Sequence, residues 1–327
     1  MKTRKIGTFE VNPIGLGCMG FSHAYGTAIN QNDAIKTIRS AVDIGYNFFD
    51  TAECYTGVCA DGSISNNEEI VGAALKPVRD KVVIATKFGV EHNPDRSLKL
   101  DSSPARIKKS VDGSLKRLGI DVIDLYYQHR VDPQVEPEIV AETMAELIKA
   151  GKIKAWGISE TNEEYLRRAH KICPVTAIQN RYSMAARWHE NIFPVCEELN
   201  ITFVAFSPMA NGLLAGTPQT EFAGQGDYRN MMPQFTESGL AKAAELLKLL
   251  DKLAAEKNAT PAQISLAWML CEKDFIIPIP GSRKLSRLKE NFGAGSIQLS
   301  EKEIADINAK LDTMELEIFG GSKTVSK

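Results

Sequence analysis

Short apolar runs alternate with longer amphipathic stretches along most of the chain. The runs at 14–16, 48–52, 82–88, 122–129, 155–159, 177–182, 203–209 and 275–280 place apolar residues, several of them Val, Ile and Phe, on consecutive positions. That pattern predicts parallel strands covered on both faces. Between them apolar residues recur every three or four positions. Asn32-Asp33 opens one helix with Ile35, Ile38 and Val42 on a face, and Asn67-Glu68-Glu69 opens another through Val71 and Leu75. At Ser103-Pro104 a cap residue precedes proline at the first helical position, and Ile107, Val111, Leu115 and Leu118 follow up to Gly119. Further helices are predicted over 136–150, 162–171, 190–199, 237–257 and 260–272, the last again opened by a cap and proline, Thr260-Pro261. Ahead of them all, Arg4-Lys5-Ile6 and Phe9-Glu10-Val11 flank a Gly7-Thr8 turn and predict a hairpin.

Eight strands, each followed by a helix, predict an α/β fold: a (β/α)8 TIM barrel over 1–327, one domain with an N-terminal β-hairpin and C-terminal helices. An open doubly wound sheet would usually present a glycine-rich phosphate loop leading straight from its first strand into a helix. The run from Gly15 to Gly20 has that spacing but continues into the loop-like stretch 21–30, which favours the barrel. Two long irregular connections are expected at C-terminal strand ends. They are 53–66, and 210–236 with Gly212, Gly216, Pro218, Gly224, Gly226 and Pro233. Barrel enzymes keep their chemistry on that face.

Composition narrows the functional classes. The chain is 43% hydrophobic and 24% charged with a net charge of −2, which gives no electrostatic footprint for nucleic acid or an anionic membrane. No apolar run reaches the ~18 residues of a membrane span. The polar start predicts no signal peptide. Six cysteines, at 18, 54, 59, 173, 196 and 271, form no C-x-x-C and no metal-ligand set, so free thiols in the cytoplasm and no bound metal are expected.

The strand ends carry the candidate chemistry. Asp50 closes the second strand, with Tyr55 five residues on; Lys87 ends the third, His129 the fourth and Ser159-Glu160 the fifth, while Gln179-Asn180 lie on the sixth. In a barrel these face one mouth. A buried Asp50 and Lys87 are expected to pair across adjacent strands. A phenol with an ordinary pKa of ~10 is a poor acid at neutral pH. An ammonium beside it lowers that value, and a carboxylate holds the ammonium in place. A histidine can then orient a carbonyl oxygen for reduction.

The segments G-L-G-C-M-G (15–20), F-F-D-T-A-E-C-Y (48–55), A-T-K-F-G (85–89), Y-Q-H-R (127–130), W-G-I-S-E (156–160), I-Q-N-R-Y-S (178–183), F-S-P-M-A-N-G-L-L-A-G (206–216) and I-P-I-P-G-S-R-K-L-S-R-L-K-E-N (277–291) resemble the aldo-keto reductases, in the family's order. The resemblance implies a barrel plugged by its hairpin, a small-molecule carbonyl substrate, NADPH bound without a Rossmann fold, and a tetrad of Asp50, Tyr55, Lys87 and His129. It implies that Ser159 and Gln179 hold the nicotinamide carboxamide, that Phe206 stacks on the ring, and that Ser207, Pro208, Met209 and Asn211 line the pyrophosphate. Met19 and Asp50 belong to the same cofactor set. Gly281, Ser282, Arg283 and Arg287 are implied to meet the 2′-phosphate, and Glu290 and Asn291 the adenine. Arg283 and Arg287, four apart, are expected on one face at a helix start. Three positions depart from the common family pattern: Phe206 replaces Tyr, Glu160 replaces Asn, and Gly281 stands where some members carry Lys.

Two other readings use the same residues. A Schiff-base lyase would need Lys87 deprotonated, which an adjacent carboxylate opposes. A cofactor-sensing subunit, like the potassium-channel β subunits that share the fold, would bind the nucleotide with little turnover. The mouth, framed by Met19, Phe21, Tyr25, Phe88 and the two long loops, suits apolar aldehydes and ketones as a class. Nothing in the sequence sets the oligomeric state.

Overall fold

The computed structural model describes residues 1–93, 97–219, 221–222 and 226–320. Gly224, expected within the 210–236 connection, and the last seven residues of the predicted 1–327 domain lie outside the described residues. Strands β1 (Arg4–Ile6) and β2 (Phe9–Val11) form the expected antiparallel hairpin. The others follow in chain order: β3 (Leu16–Gly17), β4 (Phe48–Asp50), β5 (Thr56–Val58), β6 (Ile64–Asn66), β7 (Val83–Phe88), β8 (Val90–His92), β9 (Leu98–Leu100), β10 (Ile123–Gln128), β11 (Ile153–Ser159), β12 (Ala177–Arg181), β13 (Thr202–Phe206) and β14 (Ile276–Pro278). Eight of them, β3, β4, β7, β10, β11, β12, β13 and β14, pair parallel in that order as one curled sheet. The Gly15 N–H, donating to Pro278 O at 3.0 Å, bridges the first and last strands.

Helices α1 (Gln31–Ile44), α2 (Asn67–Leu75), α3 (Pro104–Leu118), α4 (Pro137–Lys149), α5 (Glu163–Ile172), α6 (Phe193–Leu199), α7 (Glu237–Lys257), α8 (Pro261–Glu272), α9 (Leu285–Gly293) and α10 (Glu301–Leu311) cover the sheet. The anticipated caps are formed. Ser103 Oγ accepts from Arg106 N at 3.3 Å, and Thr260 and Gln263 make a reciprocal capping box. Among the described residues no helix is long and apolar enough to cross a membrane.

The core has two layers. Outward residues of the strands, including Phe49, Ile84, Tyr126, Trp156, Ile178 and Phe203, pack under the helices. Inward residues Phe48, Val83, Ala85, Leu125, Tyr127, Ala155, Ala177, Val204 and Ile277 fill the barrel together with Ile6 and Val11 of the hairpin. The hairpin is therefore a plug. It is fixed by Arg4, whose guanidinium donates to the carbonyls of Leu270, Ile276 and Lys273, and by Thr202 Oγ1 donating to Lys5 O at 2.9 Å.

One expected loop is ordered differently. Residues 53–66 contain the β5–β6 hairpin, with Val58 opposite Ile64. Its turn is built by Asp61, whose carboxylate accepts from Ser63 N at 3.0 Å and Ser63 Oγ at 2.6 Å, and by Gly62 at φ +85°. A second hairpin, β8–β9, follows β7 directly. The seventh strand stops at Phe206 rather than running to 209, because Ser207 turns into left-handed backbone at φ +50°.

Truncating the plug exposes its contribution. Ile6→Ala is expected to lower unfolding free energy by about 2–5 kcal/mol, read from urea denaturation, with the midpoint shifted and the slope retained. A loss below ~1 kcal/mol would mean that the hairpin is not part of the core.

Candidate active site

Every second residue of a strand points to the same face. Following the inward residues to the C-terminal end of each strand leads from Phe48 to Asp50, from Val83 and Ala85 to Lys87, and from Leu125 and Tyr127 to His129. The same count leads from Ala155 and Gly157 to Ser159, from Ala177 to Gln179, and from Val204 to Phe206. The periodicity that fills the barrel with carbon thus delivers polar groups to one mouth.

Lys87 is the hub. It is 0% exposed, and Asp50 is 3% exposed. Lys87 Nζ donates to Asp50 Oδ1 at 2.5 Å and to Thr51 O at 2.7 Å, and lies 3.4 Å from the Tyr55 hydroxyl. Gln179 Nε2 donates to the other carboxylate oxygen of Asp50 at 2.7 Å. The pairing anticipated across β4 and β7 is therefore made, in a register that sets Asp50 opposite Ala85. Burial pushes the Asp50 carboxyl above its usual range, and the Lys87 ammonium and Gln179 amide oppose that shift.

Tyr55 arrives on the short segment between β4 and β5. Asn67, fully buried at the start of α2, fixes that segment: it accepts from Thr51 Oγ1 at 2.6 Å and donates to Cys18 O at 2.9 Å and Ser22 Oγ at 2.7 Å. Ser22 in turn donates to Tyr55 O at 2.9 Å. The Tyr55 ring stacks on His23 at 5.8 Å and meets His129 edge-on at 5.6 Å. Its pKa corrects the sequence-based expectation. Burial, reinforced by Asp50 and Cys54, holds the phenol well above its ordinary value despite Arg130. Lys87 bonds more closely to Asp50 and Thr51 than to the phenol, so the ammonium does not dominate. A phenol so placed keeps its proton at neutral pH and can give it to a neighbouring oxyanion.

His129 is buried, and its Nδ1 lies 3.5 Å from Cys54 Sγ. Burial, with the positive charges of Arg130 and Lys87, holds its imidazole well below the usual histidine range, so the ring is neutral at pH 7. The Cys54 thiol is pushed up to about 12 by burial and remains protonated.

The remaining predicted residues fall into three groups. Ser159 and Gln179 lie in register on β11 and β12. Phe206, opposite Arg181 across β12 and β13, has the Arg181 and Arg130 guanidiniums 4.9 Å and 5.7 Å from its ring centroid. Glu160, at φ +55°, turns its carboxylate to accept from Arg181 N at 2.9 Å, so it braces the end of β12.

The second group is the turn after β13. Ser207, Ala210 and Asn211 all have positive φ, Pro208 is buried, Met209 is half-buried, and Asn211 Nδ2 donates to Tyr25 Oη at 3.0 Å. Seven described non-glycine residues have positive φ; Asn200 and Asn258 end helices, and the other five, Ala24, Glu160, Ser207, Ala210 and Asn211, border the mouth. Such backbone costs about 1–3 kcal/mol per residue and concentrates where function requires it. Met19 lies half-buried in a 3-10 turn on the opposite rim.

The third group follows β14, where the expected shared helix face is not formed. Ser282 Oγ accepts from Lys284 N at 3.1 Å, α9 begins only at Leu285, and Arg283 therefore precedes the helix. Arg283 instead donates to the carbonyls of Gly20 and, at 3.1 Å, Thr27, while Arg287 pairs with Glu290 at 2.6 Å. Asn291 is buried on α9. A Cβ at Gly281 would lie 2.6 Å from Gly17 O, which explains why no lysine stands there.

Arg130, Arg181 and His23 were not anticipated. Arg181 was findable, being the next inward residue after Gln179, and Arg130 directly follows His129. His23 lies on a loop with no periodic signal. Among the described residues no group of three or more His, Cys, Asp or Glu is arranged to hold a metal.

The chain belongs to the aldo/keto reductase family, whose model matches residues 13–312. It is accordingly an oxidoreductase of the carbonyl-reducing class. It is 38% identical over 307 residues to probable aldo-keto reductase 1 of Glycine max, covering 93% of this chain and 87% of that one. It is 38% identical over 324 residues to aldo-keto reductase yakc of Schizosaccharomyces pombe, whose name carries NADP(+), covering 96% and 92%. The solved glycerol dehydrogenase AKR11B4 of Gluconobacter oxydans is 28% identical, with a TM-score of 0.81 over 94% of this chain and 95% of that one.

Burial of the histidines has a pH consequence. The folded pKa of His129 is below its unfolded value of ~6.5, and His23, His92, His170 and His189 are shifted down by burial in the same sense. As pH falls through ~6.5 the unfolded chain takes up protons that the native state does not, so stability falls with acid. The urea midpoint is expected to drop between about pH 7 and pH 5, and His129→Gln to flatten part of that slope. A midpoint that rises on acidification would contradict this assignment.

Proposed function

We propose that the protein reduces an aldehyde or ketone to the alcohol with NADPH, Tyr55 supplying the proton. The observation that carries this reading is Lys87: a buried ammonium bonded to Asp50 and in reach of the Tyr55 phenol, beside a neutral imidazole, at the mouth of a barrel.

The residues present fit the dinucleotide. Arg181 and Arg283 have no carboxylate within ion-pair distance among the described residues, and Arg283 Nη2 is buried without a partner. Such cations match pyrophosphate and phosphate oxygens. Ser159, Gln179 and Phe206 offer a polar edge and an aromatic face for the nicotinamide. Ser207, Pro208, Met209 and Asn211 belong to the pyrophosphate side, and Arg283 to the 2′-phosphate. The relative named with NADP(+) supports the phosphorylated form.

When bound, NADPH supplies a hydride to the carbonyl carbon. The chain supplies the rest. Neutral His129 hydrogen-bonds the carbonyl oxygen and orients it. Tyr55 Oη transfers its proton to that oxygen as negative charge develops there, and the Lys87 ammonium stabilises the phenolate until solvent returns the proton. Asp50 and Thr51 O engage two of the Lys87 donors and the phenol lies along a third, which leaves no lone pair for a Schiff base.

Tyr55→Phe is expected to lower NADPH-dependent carbonyl reduction by about 10²–10⁴-fold, with the cofactor dissociation constant, read by tryptophan quenching, little changed. Near-wild-type turnover would place the proton donor elsewhere. NADPH is expected to bind at least ~tenfold more tightly than NADH, as one charge-assisted arginine contact implies. Arg283→Ala should remove most of that margin. Because Arg283 also ties down Gly20 and Thr27, a smaller loss common to both cofactors is expected as well.

A further inference from the structure

We propose that Arg130 selects carbonyl substrates that carry a carboxylate, an inference that rests on the carbonyl-reductase reading of this mouth. Arg130 follows His129 at the end of β10, and its Nη1 donates to His129 O at 2.6 Å and to Ser159 Oγ at 3.1 Å. It is half-buried, with its guanidinium 5.7 Å from the Phe206 ring centroid. Its charge also lowers the proton affinity of Cys54, Tyr55, His129 and His92, which places it electrostatically over the reacting groups rather than out in solvent.

The carboxylates around it are already engaged. Asp50 is held by Lys87 and Gln179, and Glu53 by Arg106, Ser110 Oγ and the Gly89 N–H. Asp227 is held by Arg229, and Glu160 accepts from Arg181 N. Lys87 is likewise neutralised by Asp50. Arg130 is thus a guanidinium next to the carbonyl-orienting histidine with no anion of its own among the described residues.

Among the described residues its one side-chain hydrogen-bond partner is Ser159, which the proposed function gives to the nicotinamide carboxamide. Once that hydroxyl is claimed, the Arg130 fork is left beside His129 with open donors. A guanidinium matches a carboxylate bidentately. A substrate whose carbonyl oxygen meets Tyr55 and His129 would direct a carboxylate on its far end to Arg130.

The test compares 4-carboxybenzaldehyde with its methyl ester, which keeps the shape and removes the charge. NADPH oxidation is followed at low and at physiological ionic strength in wild type, Arg130→Met and Arg130→Lys. The acid-to-ester ratio of kcat/KM is expected to fall about ten- to a hundredfold in Arg130→Met, mostly through KM, and to be intermediate in Arg130→Lys. Added salt should lower the ratio in wild type and leave it nearly unchanged in Arg130→Met. Equal ratios in wild type and Arg130→Met, with both compounds reduced, would overturn the role of Arg130 and leave carbonyl reduction standing. Reduction of neither compound by the wild type would overturn the reading of the mouth and this proposal with it.

Discussion

A lysine with no exposed surface must find its counter-charge inside the protein, and the mouth of this barrel is organised by that requirement. Burying an ammonium costs several kcal/mol even after relaxation, repaid only when the partner geometry is good and the remaining donors are satisfied. Lys87 meets both conditions with Asp50, Thr51 O and Tyr55. The condition reaches back into the sheet: β4 and β7 must pair with Asp50 opposite Ala85, so that Lys87 is the next inward residue beyond. A slip of one residue would turn Lys87 into the helix layer and Phe88 into the barrel. Asn67 serves the same end from α2, holding the segment that carries Tyr55.

Charge is distributed unevenly around this centre. The carboxylates near the mouth are hydrogen-bonded, whereas Arg130, Arg181 and Arg283 have no carboxylate within ion-pair distance among the described residues. Arg181 is only 9% exposed, and burial draws its pKa down to about 10. The strained backbone lies in the same region, at Glu160 and in the turn from Ser207 to Asn211. Unmatched cations beside a turn held in costly conformations suit anions: Arg181 and Arg283 for the phosphates of the proposed dinucleotide, and Arg130 for the carboxylate of the proposed substrate.

Much of this was legible in the sequence. The strands were visible because a sheet covered on both faces needs unbroken apolar runs, and the helices because Ser103-Pro104 and Thr260-Pro261 mark their starts. Asp50, Lys87 and His129 could be read as strand ends, since a polar residue two positions beyond a buried one stays on the same face. Elsewhere the deciding forces were not local. Residues 53–66 read only as an irregular connection, and it is the Val58–Ile64 pairing that makes them a hairpin. Ser282 Oγ turns the chain by accepting from Lys284 N, and Lys284 is extended, so the helix starts only at Leu285 and spacing alone misjudges Arg283 and Arg287. The Tyr55 pKa was misjudged for a different reason: its sign depends on how fully the ring is buried and how closely Asp50 claims the ammonium, and neither quantity is written in residue spacing.

Asp50 and Lys87 act as one unit. A double-mutant cycle of Lys87→Met, Asp50→Asn and the combined variant, read by urea denaturation at pH 7, tests it most directly. Removing one partner of a buried pair leaves an uncompensated charge and is expected to cost about 3–5 kcal/mol. Lys87→Met alone is expected to be less stable than the double variant, because the second change discharges the abandoned carboxylate. Additive losses, with the double variant the least stable of the three, would show that the two residues act independently and would contradict it.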